Sequence, residues 1–249
     1  MNGILIADKP CGCTSHDVVA RVKRALRARK VGHLGTLDPM ATGVLPLVIN
    51  KATKFARFLD GGKKEYLSTL KLGEETDTYD AEGRVVAATD PSSVEDGEII
   101  KVLKGFIGKI RQVPPMYSSK KINGTPLYRM ARKGIVVERE AREVEIFDLE
   151  VTEISIPYVK FSVSCSRGTY VRALCNDVGR ALGCGAHLVK LRRTGSGPFS
   201  IAQSIDPASP GEVLARSIIP LEEALKKSSS AFDQAALGRE RCTPHITGD

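Results

Sequence analysis

Gly32-His33-Leu34-Gly35-Thr36-Leu37-Asp38-Pro39-Met40-Ala41-Thr42-Gly43 runs directly into Val44-Leu45-Pro46-Leu47-Val48-Ile49, and the change of character between the two halves sets how the surrounding chain is read. The first half holds three glycines, one proline and a single acid among apolar neighbours, so no continuous helix or strand runs through it. The second half is an apolar run of the kind that opens a buried element. An Asp-Pro step favours turns, and an ordinary turn is one reading of the loop. A lone carboxylate shown on a tightly bent loop is also a candidate nucleophile, and the loop by itself leaves both readings open.

Working outward, Ile4–Ala7 reads as a short strand and Ser15 as the N-cap of a helix reaching Arg29. Val18, Val22 and Leu26 line one face of that helix and its basic residues the other. After the loop come a strand through Ile49, a short helix over Ala52–Leu59, and a strand over Glu65–Leu72 that contains Tyr66 and stops at Gly73. Arg84–Ala88 reads as a strand and Val94–Leu103 as a helix, while the two prolines of Arg111–Tyr117 keep that segment out of a central ladder. Thr125–Arg132 reads as a short helix, Val144–Ile156 and Tyr158–Cys165 as a long antiparallel pair around Pro157, and Tyr170–Leu182 as a helix closed by Gly183. From Ser204 on, the chain is rich in Pro, Ser and Ala, with a helical segment at Leu221–Leu225. Strands and helices mix without a repeating βα unit. The pattern predicts an α+β fold with a central, largely antiparallel mixed sheet flanked by helices and loops.

A chain of 249 residues holds one large catalytic domain, or such a domain plus a small appendage. No apolar run approaches the roughly 18 residues of a membrane span, and the N-terminus lacks the features of a secretory signal, so a cytoplasmic protein with no membrane association is expected. The six cysteines form no Cys-x-x-Cys pair, and Cys11-Gly12-Cys13 is their one close spacing. They read as reduced, structurally incidental thiols, and no metal or cofactor is predicted. Lys and Arg total 37 against 29 Asp and Glu, an excess of +8 that suits a polyanionic partner. The cations fall in several clusters, at Arg21–Lys30, Lys120-Lys121, Arg129–Lys133 and Lys190–Arg193, and any one of these alone is equally well a solvated face.

Six motifs occur in order: Asp8-Lys9-Pro10-Cys11-Gly12-Cys13-Thr14-Ser15, the Gly32–Gly43 loop, Lys64-Glu65-Tyr66, Val113-Pro114-Pro115-Met116-Tyr117-Ser118-Ser119, Arg167-Gly168-Thr169-Tyr170-Val171-Arg172 and His187-Leu188-Val189-Lys190-Leu191-Arg192-Arg193-Thr194. Together they resemble the bacterial TruB family of tRNA pseudouridine synthases, which isomerise uridine 55 in the T loop. The resemblance spans residues 1–225 and implies the pseudouridine-synthase catalytic fold.

The resemblance makes Asp38 the catalytic nucleophile, at C1′ of the sugar or C6 of the base, with a glycal intermediate as a further route. To attack, Asp38 must be ionised, and burial against Leu37 and Met40 works against that, so it needs a cation. Arg172 matches the family's arginine for this role; by itself it reads as a surface helix arginine. Tyr66 matches the active-site tyrosine that stacks on the base and is a candidate for proton transfer, and Tyr170 and Leu191 match positions lining the pocket. Ordinary packing is the other reading for all three. His33 matches the histidine that fills the stack when the uridine is extruded, a step costing a few kcal/mol. Lys9, Arg21, Lys23, Lys120, Lys121 and Arg129 are candidate phosphate contacts, and the stretch around 115–135 fits an inserted loop that clamps the T stem.

Family members commonly add a C-terminal PUA-like RNA-binding domain, and residues 226–249 are expected to be a short tail, at most the truncated opening of that domain. Expected partners are therefore tRNA through its T stem-loop, with no obligate protein and a monomeric enzyme. The competing readings are a tRNA-folding chaperone that needs no catalysis, the related guide-RNA-dependent synthase, and a glycosidase. The glycosidase lacks an evident pair of catalytic carboxylates.

Overall fold

The computed structural model describes residues 1–60, 62–122 and 124–228. The chain opens with β1 (Gly3–Lys9), α1 (Ser15–Ala25), β2 (Val31–His33) and β3 (Thr42–Ile49), then a 3-10 segment over Asn50–Phe55 and α2 (Ala56–Leu59). Next come β4 (Lys64–Leu72), β5 (Glu74–Thr76), β6 (Val85–Ala88), α3 (Asp96–Gly105), β7 (Gly108–Gln112), β8 (Lys121–Ile122), β9 (Thr125–Pro126) and α4 (Leu127–Ala131). The hairpin β10 (Arg142–Ser155) and β11 (Tyr158–Cys165) leads into α5 (Val171–Ala181), β12 (Ala186–Ser196), β13 (Phe199–Ser200), α6 (Gly211–Arg216), β14 (Ile219–Pro220) and α7 over 221–228. The described residues divide into two compact units, one of Met1–Pro39, Gly43–Lys63 and 195–228, the other of Met40–Thr42 and Lys64–Thr194.

In the first unit β1 runs antiparallel to both β14 and β3, with Ile4 opposite Ile219 and Val48, and β2 adds antiparallel to β3 with His33 opposite Leu47. Both β1 and β3 are buried along nearly their whole length, as their unbroken apolar runs require. Their side chains join Leu34, Ala52, Leu59, Phe199 and Ala224 in one core cluster. Each fully buried Ile, Leu or Phe there contributes about 1.5–3 kcal/mol from apolar area removed from water. Helix α1 turns Val18, Val19 and Val22 inward and leaves Arg21, Lys23 and Arg24 exposed.

The start and end of α1 differ from expectation. Thr14, not Ser15, is the N-cap: its hydroxyl accepts from the Asp17 N–H while the Asp17 carboxylate accepts from the Thr14 N–H, a reciprocal capping box. The helix stops at Ala25, short of Arg29, because Arg27 takes a left-handed φ of 49°.

The second unit carries strands in the order β12-β4-β11-β10-β7. Strand β4 alternates buried and exposed residues, and Tyr66, Leu70 and Leu72 share its inner face with Val159, Phe161 and Val163 of the antiparallel neighbour β11. The long hairpin partner β10 supplies Val144, Ile146 and Leu149, with irregularities after Ile146 and after Val151. Helices α3 and α5 bury Ile99 and Leu103, and Val171, Leu174 and Val178.

The pairs β1–β14, β1–β3, β2–β3, β4–β11, β10–β11 and β7–β10 are all antiparallel, and the α+β class holds. Strand β12 was not anticipated, because the polar run Lys190-Leu191-Arg192-Arg193-Thr194 masks its alternation. The helix expected over Val94–Leu103 lies two residues later, at Asp96–Gly105. The tail expected from residue 226 falls almost wholly outside the described residues.

Candidate active site

Asp38 lies on the loop between β2 and β3, half-buried, with Leu34, Leu37 and Ala41 turned into the protein at 3%, 4% and 0% exposure. Those three residues anchor the loop by burying apolar surface. Gly35 and Gly43 take φ values of +72° and +103°, which allow the sharp bends on either side of the acid.

The residues flanking Asp38 are held from the segment just before and at the start of α1. The buried Ser15 hydroxyl accepts from the Leu37 N–H at 2.9 Å and donates to the Leu37 carbonyl at 3.0 Å, so one side chain satisfies both backbone groups. On the other flank the Pro39 carbonyl accepts from the Gly12 N–H at 3.0 Å and from the Lys9 ammonium at 3.1 Å. Lys9 also donates to the Pro10 carbonyl at 2.9 Å. It is 0% exposed, which removes it from the surface cations expected to meet phosphate: a buried ammonium spends donors on carbonyls, here that of Pro10 and that of Pro39 in the loop.

In the second unit Arg172 lies in the first turn of α5 and is 3% exposed, so the surface-arginine reading fails. Its guanidinium donates to the Thr78 carbonyl at 2.9 Å and to the Tyr117 carbonyl at 2.7 Å, and lies 3.2 Å from the Asp80 carboxylate. Asp80, itself 4% exposed, also accepts from the Thr78 hydroxyl at 2.7 Å and the Glu82 N–H at 3.1 Å. A buried guanidinium needs this density of acceptors, and its planar donors are aimed by them. Asp80 was not singled out from sequence, because it stands among Glu74, Glu75, Asp77 and Glu82 with nothing local to distinguish it.

Tyr66 is 9% exposed on β4 opposite Val163, and Leu191 is 8% exposed on β12, its carbonyl accepting from the Thr42 hydroxyl at 3.5 Å. Tyr170 caps α5, half-buried, and its backbone bonds to Gln112. Tyr66, Tyr170, Arg172 and Leu191 thus share the second unit, while Asp38, His33 and Lys9 belong to the first. His33 ends β2, half-buried. Arg21, Lys23, Lys121 and Arg129 are exposed and Lys120 is half-buried.

Cys11 is exposed and Cys13 half-buried, while Cys165, Cys175 and Cys184 are buried. Burial pushes the Cys165 thiol up to about 11 and raises Cys175 and Cys184 as well, so these thiols stay protonated and are poor metal ligands. Among the described residues no three His, Cys, Asp or Glu side chains are grouped to hold a metal ion, and no helix is long and apolar enough to cross a membrane.

Residues 23–171 match the model of the TruB family pseudouridylate synthase N-terminal domain, and residues 172–226 that of the tRNA pseudouridylate synthase B C-terminal domain. The tRNA pseudouridine synthase B of Geobacter sulfurreducens is 53% identical over 205 residues, 82% of this chain and 67% of that protein. The Clostridium tetani protein of the same name is 49% identical over 228 residues, 91% of this chain and 79% of its own. Among solved structures, a chain of a Cbf5–Nop10–Gar1 complex superposes with a TM-score of 0.71 at 34% identity, covering 90% of this chain and 62% of its own. A chain of an H/ACA RNP bound to a substrate RNA containing 2′-deoxyuridine gives 0.67 at 31%, covering 91% and 61%. The chain therefore spans only part of the length of each protein it matches.

Proposed function

The chain belongs to the TruB family of pseudouridylate synthases, and from that premise we propose that it isomerises uridine to pseudouridine at position 55 in the T loop of tRNA. The observation that carries the site is the two-sided fixing of the Asp38 loop, in which Ser15 holds Leu37 while Gly12 and Lys9 hold Pro39. Fixing the backbone on both sides of a short carboxylate aims it, which is what a nucleophile that must meet an extruded nucleotide requires.

In this reading Asp38 forms a transient bond at C1′ or C6. The N1–C1′ bond breaks, the uracil turns, C5 bonds to C1′, the C5 proton leaves and N1 takes one up. No atoms are gained or lost overall, and no cofactor or metal is needed. Arg172 keeps Asp38 ionised and oriented, Tyr66 stacks on the base and serves as a proton shuttle, and Tyr170 and Leu191 line its pocket. His33 fills the gap left when the uridine leaves the stack. The exposed cations Arg21, Lys23, Lys121 and Arg129, with Lys120, meet phosphates of the T stem, and the stretch around 115–135 clamps it. Residues 1–225 act as the catalytic domain, and the enzyme works as a cytoplasmic monomer without an obligate protein partner.

The test is to incubate the protein with a bare tRNA transcript, map pseudouridine, and follow tritium release from uridine labelled at C5. Modification at position 55 without guide RNA or added proteins is the expected result. No modification by the wild-type chain sinks the enzymatic reading, and dependence on a guide RNA points to the guided class. Undiminished release by Asp38→Ala overturns the assignment of the nucleophile.

A further inference from the structure

Helix α5 delivers Tyr170 and Arg172, yet no side chain of its own caps its first turn. The Tyr170 N–H instead donates to the side-chain oxygen of Gln112 at 2.7 Å, and the Gln112 amide nitrogen donates back to the Tyr170 carbonyl at 3.1 Å. Gln112 is 2% exposed and lies 58 residues earlier, as the last residue of β7 opposite Arg142. Such a two-way contact pins the two peptide groups on either side of the Tyr170 Cα, since the amide oxygen and nitrogen of Gln112 cannot exchange places without losing both bonds. The chain leaving Gln112 then supplies the Tyr117 carbonyl that accepts from Arg172 at 2.7 Å. One short segment thus grips the first turn of α5 at its backbone and at its arginine.

A second reciprocal pair secures the turn that precedes the helix. The Glu145 N–H donates to the Ser166 hydroxyl at 2.9 Å, and the Ser166 N–H donates to the Glu145 carbonyl at 2.8 Å. With Ser166 held at one end and Tyr170 at the other, the Arg167–Thr169 turn has little room to shift α5 along its axis.

We propose that Gln112 is a positioning residue for the reaction, setting where the Tyr170 ring and the Arg172 guanidinium stand by gripping the Tyr170 backbone from both sides. It touches no reacting atom. This rests on the roles given above to Tyr170 and Arg172, and it adds a residue in a different strand on which both depend. Displacing groups of this kind by a fraction of an ångström slows the chemical step far more than it weakens RNA binding, which is spread over many phosphates.

The test compares the full-length wild type with Gln112→Met and Gln112→Glu on a tRNA transcript, measuring single-turnover rate at saturating enzyme, tRNA affinity by filter binding, and melting temperature. Gln112→Met keeps the volume and removes both hydrogen bonds; its rate should fall about tenfold or more with affinity within about twofold of wild type. Gln112→Glu distinguishes a positioning role from a merely structural one. Its protonated carboxyl reproduces both contacts, with the carbonyl accepting from Tyr170 N–H and the hydroxyl donating to Tyr170 O; once ionised it turns an acceptor toward an acceptor. The ratio of wild-type to variant rate should therefore climb as the pH rises through the carboxyl's range, at temperatures where both proteins stay folded. A Gln112→Met rate within about twofold of wild type, or a flat Gln112→Glu ratio, overturns the proposal even if both variants melt earlier. A wild type that makes no pseudouridine overturns the functional reading on which it rests.

Discussion

The two units hold their key charged residues in opposite ways. Asp38 sits on a loop whose flanking residues Leu37 and Pro39 are tied to residues 22 and 30 positions earlier, at the start of α1 and in the segment before it. Arg172 is instead caught by its own side chain, with carbonyl partners 55 and 94 positions away and the buried carboxylate of Asp80. The helices they accompany differ likewise, α1 being capped by its own Thr14 and Asp17 and α5 by the distant Gln112. In the proposed reaction, a carboxylate that forms and releases a bond is aimed through the backbone beside it. A guanidinium that must stay charged and fixed while buried is surrounded with acceptors.

The sharpest way to break this comparison is to remove the acid. Asp38→Ala should lower tritium release by about 10⁴-fold or more in a protein that still folds, with the loop ties at Leu37 and Pro39 in place. A large loss of stability would mean that the carboxylate itself is part of the scaffold. The matching change in the second unit is Asp80→Asn, which keeps shape but removes charge beside a buried cation. It should cost about 3 kcal/mol in urea unfolding, most of it from leaving Arg172 less compensated in a region water cannot reach. A cost below about 0.5 kcal/mol, the size of a surface substitution, would show that the carbonyls of Thr78 and Tyr117 suffice.

The same contrast explains what was legible in the sequence. The Asp38 loop stood out because glycine, proline and an isolated acid within a dozen residues are a local signal, and β1, β3, β4, β10, β11 and α5 were visible through their apolar periodicity. The cap of α1 was misplaced by one residue because Thr14 and Ser15 are both good caps, and only the fold turns Ser15 inward to Leu37. Lys9 reads as one more surface cation until β1 is seen to bury it. Asp80 and Gln112 gave no signal at all. Their meaning lies in partners 92 and 58 residues away, and nothing in the neighbourhood of either residue encodes that distance.

Two smaller changes probe the first unit. Ser15→Ala leaves a buried N–H and carbonyl of Leu37 without the side chain that satisfies them, and should cost about 2 kcal/mol of stability together with a fall in single-turnover rate. An unchanged rate would show that the apolar anchors Leu34, Leu37 and Ala41 place Asp38 by themselves.

The smallest effect is expected at the start of α1, where Thr14→Ala should cost about 1 kcal/mol by removing the cap. The capping box also carries a pH signature. Hydrogen bonds from the Thr14 hydroxyl and N–H hold the Asp17 carboxyl below its usual 3.8. A group whose folded value is depressed contributes its stabilisation fully above the unfolded value, and the contribution disappears as the pH falls through the lower, folded one. Helix α1 should therefore loosen only below pH 3.8, and the Thr14 amide resonance should track that transition. Asp17→Asn should flatten the response in that window while leaving the neutral-pH structure in place. If α1 melts at the same acid pH in Asp17→Asn as in wild type, the box is not what holds the segment leading from Lys9 to Ser15, and the local half of the comparison would have to rest on the ties from Ser15, Gly12 and Lys9 themselves.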